Sequence, residues 1–381
     1  MFVKCKLVFV ESERLVMKRN ILIMGCLLPS LVLVLLLSCQ YESDFGATPY
    51  TLPVLTGEAA MKHYVDSLIS TKSVPDSLAK AASSLPALQQ AYVDMKFGMF
   101  IHFNMSTFDR CCCQSCRSVS GEWGYAASAS VYPDMFHPTK LDIGQWVRAA
   151  KSAGMKYMVL TTKHHDGFCI WPSKFNKHNV SYSSWAGGNR DVLREYVDTL
   201  TKYGIKVGFY YSIWDKTQGS SVNFIKAQLA ELLTNYGPVT ELYFDGWKWM
   251  IGYQRVPYDT IRNLIKTLQP NCLIMENNHY YNMTNTDVVT YEVPVDGPPK
   301  ADNTLPSEAG QTIRLDKCWF WHPDEQCNIM SAQGIVDDLN MNNSRHASYL
   351  LDLTPDTLGL MPKCVVDRLA EVGQLRGITA P

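Results

Sequence analysis

From about Met95 onward the chain alternates short apolar runs with stretches of helical periodicity. Eight runs have strand length and composition: Met95 to His102, Met155 to Thr162, Ile205 to Ser212, Val239 to Asp245, Cys272 to Asn277, Val288 to Val293, Cys318 to Trp321 and Ser348 to Leu353. Between them, Leu141 to Ala153, Arg190 to Tyr203, Ser221 to Tyr236, Tyr258 to Leu268 and Ile335 to Asn342 read as amphipathic helices, and Val365 to Leu375 closes the series. Gly154, Gly204 and Gly237 sit just past three of these helices, where a C-terminal cap asks for positive φ. Continuous apolar cores such as Met158-Val159-Leu160 suit parallel strands buried on both faces. Eight strands alternating with helices predict a (β/α)8-type, TIM-like α/β barrel, with a doubly wound open sheet as the alternative. Residues 57 to 93 read as short helices, broken at Pro75 and Pro86, that cover one end of it.

The polar residues sharpen that picture. Nearly every apolar run ends, on its C-terminal side, in groups capable of chemistry: His102, Lys163-His164-His165-Asp166, Tyr210 to Ser212, Asp245, Asn277-Asn278, Glu292 and His322. A barrel gathers those ends on one face, where its active site is built. Taken singly, each has a structural reading as well, such as a helix cap for Asp166 or a satisfied core histidine for His102. A metal cluster at His164 and His165 is not expected, because adjacent residues on a strand point different ways. Cys113-x-x-Cys116 lacks a second half, so a local disulfide in the Cys111 to Cys116 loop is the expectation and neither metal nor cofactor is.

Composition narrows the classes. With 46% apolar and 19% charged residues among 381, the chain can bury a large core, and one barrel of roughly 250 residues plus a leader accounts for it. A net charge of -1, from 35 basic and 36 acidic residues without a basic run, excludes the electrostatic footprint of a nucleic-acid binder. Met17-Lys18-Arg19, the apolar stretch Ile21 to Leu37 and the lipobox-like Leu36-Leu37-Ser38-Cys39 predict a lipoprotein signal over residues 1–38, with Met17 as a candidate start. Membrane contact is then expected only through a lipid on Cys39, on the periplasmic or cell-surface side of a bacterial-type membrane. A single spanning helix is the alternative, and its length is at the lower limit. Residues 39–56 read as a tether and 57–381 as the catalytic barrel. Cys5, Cys26 and the lipidation candidate Cys39 belong to the leader region, which leaves nine cysteines for the body.

The segments Lys96-Phe97-Gly98-Met99-Phe100-Ile101-His102, Glu122-Trp123, Lys163 to Phe168, Gly208 to Ser212 and Leu242-Tyr243-Phe244-Asp245-Gly246 follow one another in an order that resembles glycoside hydrolase family 29, the alpha-L-fucosidases, over roughly residues 90 to 377. The resemblance implies retaining hydrolysis of terminal alpha-L-fucosyl residues on a glycan, through a covalent intermediate. Such chemistry needs an ionised carboxylate to attack and a protonated one to assist departure. Asp245 suits the first role, since Gly246 lets the chain turn away and leaves the carboxylate facing the pocket. Glu292 ends its strand where some members carry the acid/base. Glu308, carried by a long Pro-rich insert, Pro294 to Pro306, that could fold back over the site, is the alternative. By the same resemblance His102, Glu122, Trp123, His164, His165 and Tyr210 would bind the sugar, with Trp123 and Trp319 offering apolar faces. Two departures stand out: the last-strand motif Tyr349 to Pro355 lies near the end of the chain, so the β-sandwich of many members is not expected, and Asn277-Asn278-His279 stands where some place an arginine. The rival readings are a retaining glycosidase on a related sugar such as a galactoside, a non-catalytic glycan-binding lipoprotein and a metal-dependent hydrolase.

Overall fold

Eight parallel strands close on themselves: β1 (Phe97–Ile101), β2 (Tyr157–Lys163), β3 (Lys206–Ser212), β4 (Glu241–Asp245), β5 (Leu273–Glu276), β6 (Val288–Glu292), β7 (Ser307–Thr312) and β8 (Ala347–Leu353). Each pairs with the next, and β8 returns to β1 with Leu351 opposite Met99. The chain therefore forms a (β/α)8-type barrel rather than an open sheet. This computed structural model describes residues 54–71, 83–108, 133–323 and 327–378, together with Lys6–Leu7 and Leu37–Ser38. Two units separate, Met1–Thr48 and Pro49–Pro381. In the first, Lys6–Leu7 pairs antiparallel with Leu37–Ser38. Cys39, Glu122, Trp123 and the cysteines from Cys111 to Cys116 lie outside the described residues.

Helices α1 (Glu58–Ser70), α2 (Leu85–Val93), α3 (Ile143–Ser152), α4 (Val192–Tyr203), α5 (Val222–Asn235), α6 (Tyr258–Leu268), α7 (Ala332–Ser344) and α8 (Lys363–Leu375) accompany the strands. Asp142, Asp191, Ser221 and Ser331 cap α3, α4, α5 and α7 by accepting a backbone N–H three residues on, which satisfies a donor that the first turn leaves orphaned. Gly154, Gly204 and Gly237 do have positive φ, at 79°, 70° and 75°. Pro86 does not break a helix: it sits in the first turn of α2, where a missing N–H costs nothing.

Alternation along the strands divides the interior in two. Phe97, Met99, Ile101, Met158, Leu160, Phe209, Leu242 and Phe244 face the helices in the outer core. Phe100, Tyr157, Val159, Tyr210, Tyr243, Met275 and Leu350 fill the barrel and pack on Tyr92 of α2. The seventh strand corrects the sequence expectation. It is Ser307–Thr312, whose one aliphatic side chain is Ala309; Cys318 to Trp321 belongs to the loop beyond it. His322 therefore ends no strand. It lies 2.9 Å from Asp316 Oδ2 and 2.6 Å from Arg314 Nη2.

Candidate active site

The residues one period beyond the inner core form the upper layer of the barrel. Following Tyr243 by two positions, Asp245 ends β4 and faces inward. Its Oδ1 accepts the Gly246 N–H at 2.6 Å and the Trp249 indole N–H at 3.0 Å, while Oδ2 accepts the Tyr210 hydroxyl at 2.9 Å. Among the described residues these partners are all donors, the kind of partner a carboxylate oxygen accepts from. Gly246 has φ 63°, and a Cβ there would come within 2.7 Å of Trp214 Cβ, so the turn that frees the carboxylate requires glycine.

Glu292 ends β6, one strand removed from β4. Asn277, just past β5, donates its amide to Oε2 at 3.0 Å, and the Glu292 N–H donates to Asp296 Oδ2 at 2.9 Å. Burial raises the Glu292 carboxyl above the usual range, the charge of Asp245 raises it further, and the Asn277 bond opposes both. Two carboxyls within electrostatic reach thus stand in opposite environments, one surrounded by donors and the other biased toward its protonated form.

Three imidazoles line the same opening. His102, two residues past Phe100, holds its Nδ1 2.8 Å from Asp352 Oδ1, an inward residue of β8. His164 stacks on Tyr210, with centroids 5.5 Å apart, and its Nδ1 has no hydrogen-bond partner among the described residues. His165 places Nδ1 2.6 Å from Ser212 Oγ and Nε2 3.7 Å from Asp245 Oδ2. Burial lowers His164 well below its ordinary range and His165 to about 4, so both are neutral near pH 7 and can each donate and accept. Although adjacent in sequence, the two rings lie 4.2 Å apart and serve one pocket. Trp319, in the loop after β7, sits 5.1 Å from the His102 ring.

The structure thus brings His102, His164, His165, Tyr210, Asp245, Glu292 and Trp319 together. Glu308 is elsewhere. As the second residue of β7 it lies opposite Thr290, below the level of Glu292, and its carboxylate accepts hydrogen bonds from Tyr92 and Tyr157 on the barrel floor. It is not on a loop above the pocket, because the strand that carries it starts at Ser307. Glu122 and Trp123 cannot be compared, being outside the described residues.

Sequence reasoning assigned no role to three residues near the site. Asp352 hides in the apolar run Leu350 to Leu353, although period-2 alternation marks it as inward-facing. Ser212 orients His165. Glu276 accepts the Tyr253 hydroxyl at 2.7 Å and the Lys248 N–H at 3.1 Å, holding the single π-turn Trp247–Ile251 that presents Trp249 to Asp245; burial pushes its carboxyl up to about 7. For a metal, Asp316, Cys318 and His322 have ligand-like spacing among the described residues. The Arg314 guanidinium already bonds to both Asp316 and His322 and supplies the positive charge there.

With this geometry in hand, comparison with known proteins is informative. The family model for alpha-L-fucosidase matches residues 70–378. Alpha-L-fucosidase 1 of Arabidopsis thaliana is 30% identical over 322 residues, covering 77% of this chain and 60% of that protein. The tissue alpha-L-fucosidase of Homo sapiens is 33% identical over 274 residues, covering 63% and 53%. Among solved structures, a putative alpha-L-fucosidase from Bacteroides ovatus superposes with a TM-score of 0.64 at 28% identity, covering 81% of this chain and 57% of that one. A glycoside hydrolase 29 family member from a rumen bacterium gives 0.63 at 27%, covering 75% and 56%. The chain spans 60% of the length of the Arabidopsis protein and 63% of the putative alpha-L-fucosidase 1 of Oryza sativa.

Proposed function

The chain belongs to the alpha-L-fucosidase family, glycoside hydrolase family 29, and from that premise we propose that it releases terminal alpha-L-fucosyl residues from glycans by a retaining, two-step route. The observation that carries the reading is the unequal carboxyl pair: Asp245 held by three donors and Glu292 raised by burial and by the charge of Asp245. Environments that push two carboxyls apart assign one the acid's role and the other the nucleophile's.

In the first step an Asp245 oxygen attacks the anomeric carbon while Glu292 gives its proton to the departing glycosidic oxygen. In the second, Glu292, now a carboxylate, takes a proton from water, and the resulting hydroxide breaks the fucosyl ester, returning both groups to their starting states. Two strand spacings separate the backbones of β4 and β6, roughly 10 Å, and both side chains lean inward. The retaining route requires the two carboxyls to approach to about 5 to 5.5 Å across that gap. His102, His164, His165 and Tyr210 pair with sugar hydroxyls, and their fixed bonds to Asp352, Ser212 and Asp245 set which ring atoms meet them. Trp319 lends an apolar face.

The test is direct. Proton NMR of a wild-type reaction should show α-L-fucose as the first anomer released, and Asp245→Asn should abolish turnover while the fold persists. Initial release of the β anomer, or an Asp245→Asn variant near wild-type rate, would overturn the route.

The proposed location is outside the cytoplasm, attached by a lipid on Cys39. The lipobox-like Leu36 to Cys39 supports it, and so does the disulfide between Cys327 and Cys364, a bond that persists in oxidising compartments. Mass measurement of the mature N-terminus reads the lipid; an unmodified or uncleaved Cys39 removes the proposal.

A further inference from the structure

Between β5 and β6 the chain makes its connection without a helix, through residues 277–287. Three non-glycine residues of this short stretch adopt positive φ: His279 at 56°, Tyr281 at 53° and Asn285 at 54°. Such backbone persists only where the surroundings enforce it, and it concentrates at sites of ligand contact. At His279 and Tyr281 what enforces it is Asp296, in the single helical turn Val293–Asp296 after β6. Its carboxylate lies 3.0 and 3.1 Å from His279 Nδ1, accepts the Tyr281 hydroxyl at 2.6 Å and accepts the Glu292 N–H at 2.9 Å. One buried carboxylate therefore bolts the loop to the residue that delivers the proton.

That connection has a direction. Glu292 protonates the glycosidic oxygen, so the departing sugar must lie against Glu292, on the side away from Asp245. His279 stands on the Glu292 flank: its ring feels the charges of Glu292 and Asp245 as well as that of Asp296. With Nδ1 committed to Asp296, the imidazole meets a ligand through Nε2, and the side chain is 28% exposed. Tyr281 is the second element. One face stacks on Tyr291, with centroids 5.3 Å apart at 17°, its hydroxyl is taken, and it remains 43% exposed. A ring fixed at two points, with one face open, is a ready surface for the C–H face of a pyranose, because tyrosine offers apolar area at small entropic cost.

We infer that His279 and Tyr281, held by Asp296, form the subsite for the leaving-group sugar, taking a pyranose whose hydroxyl bonds to His279 Nε2 and whose apolar face lies on the Tyr281 ring. The inference rests on the fucosidase reading above and adds to it the groups that select what fucose is attached to.

The experiment compares two substrates on the full chain: a disaccharide of alpha-L-fucose on a pyranose, and alpha-L-fucosyl fluoride, which has no leaving-group sugar. For His279→Ala and for Tyr281→Ala, kcat/KM on the disaccharide relative to the fluoride should fall about tenfold, mainly through KM, as expected for a lost polar or packing contact. For Tyr281→Ala the alkaline limb of the disaccharide pH profile should stay where it is in wild type; the charge of His279 lowers the Glu292 carboxyl, so its loss in His279→Ala moves the limb to higher pH. Circular dichroism checks that both variants are folded. Equal losses on the two substrates, an unchanged ratio, or, in Tyr281→Ala, a loss that travels with a shifted alkaline limb each overturn the subsite, the last because it means that the loop tunes Glu292 instead of binding sugar. Wild-type protein that releases fucose from neither substrate sinks the fucosidase reading itself, a distinct outcome.

Discussion

Asn277 donates to Glu292 Oε2 at 3.0 Å, and this bond is the main local force opposing the rise of the Glu292 carboxyl. Replacing Asn277 by alanine removes the donor and leaves burial and the charge of Asp245 opposed only by the weaker effect of His279. The carboxylate form loses a hydrogen bond to a charged group, worth about 1.5 kcal/mol or more, whereas the protonated form loses a neutral one, worth roughly 0.5 kcal/mol. A net difference of about 1 kcal/mol multiplies the protonated fraction roughly fivefold wherever Glu292 is mostly ionised. The alkaline limb of kcat/KM reports the acid of the free enzyme, so it should move to higher pH in Asn277→Ala. Measured on a fucosyl disaccharide, and with each enzyme scaled to its own plateau, the variant should be about fivefold more active than wild type on the far side of the limb. Because Asp245 and Glu292 interact, the limb belongs to the pair, and its direction of travel is the decisive reading. A limb that stays fixed or moves to lower pH would refute Glu292 as the proton donor.

Two further expectations concern the scaffold. Glu241 and Glu308 are buried on the barrel floor beside Tyr92 and Tyr157; burial raises both carboxyls, that of Glu308 to about 7, and the charge of Glu308 raises Glu241 further. A carboxyl raised in the folded state contributes stability that is complete below its unfolded value and is lost as pH rises through about 7. Glu308→Gln should therefore lose less Tm than wild type between pH 5 and pH 8 by calorimetry, with a gap of a few degrees; parallel losses would refute the assignment. The Cys327–Cys364 bond closes a loop of separation 37, for which chain entropy gives about 4 kcal/mol as an upper value. The Cys327→Ser, Cys364→Ser double variant should lose roughly 2 to 4 kcal/mol in urea unfolding, and an unchanged midpoint would show the bond to be dispensable.

Seven of the eight barrel strands were legible because their outward residues are large and apolar, as in Phe97-Met99-Ile101 or Leu242-Phe244, and meet the helices. The seventh was not, for a physical reason. Along Ser307 to Thr312 the residue turned toward the outer core is Ala309, while the interior takes Glu308 and Gly310, so no apolar run announces it. Trp319 and Phe320 then mimic a strand: they are apolar because they pack over the pocket against His102, at 5.1 and 5.2 Å, and not because a sheet continues through them. The misplaced strand carried Glu308 with it, turning a floor residue into a supposed loop residue.

The site divides along the same line. Position alone shows which groups share a rim, since each strand end of a closed barrel reaches it; the places of His102, Asp245 and Glu292 were legible that way. Chemistry that acts through a second residue leaves no such mark. Asp352 fixes the ring of His102 from 250 positions away, and Glu276 reaches Trp249 only by holding Lys248 and Tyr253 in their turn. Both sit in runs that read as strand. What separates them is the face they occupy: Asp352 points in, toward the pocket, and Glu276 points away from it toward the turn after β4. A residue's side of the strand depends on register with its neighbours, Asp352 opposite Phe100 and Glu276 opposite Phe244, and that register is set by closure of the whole barrel. The roles of these two carboxyls become readable only once all eight strands are in place.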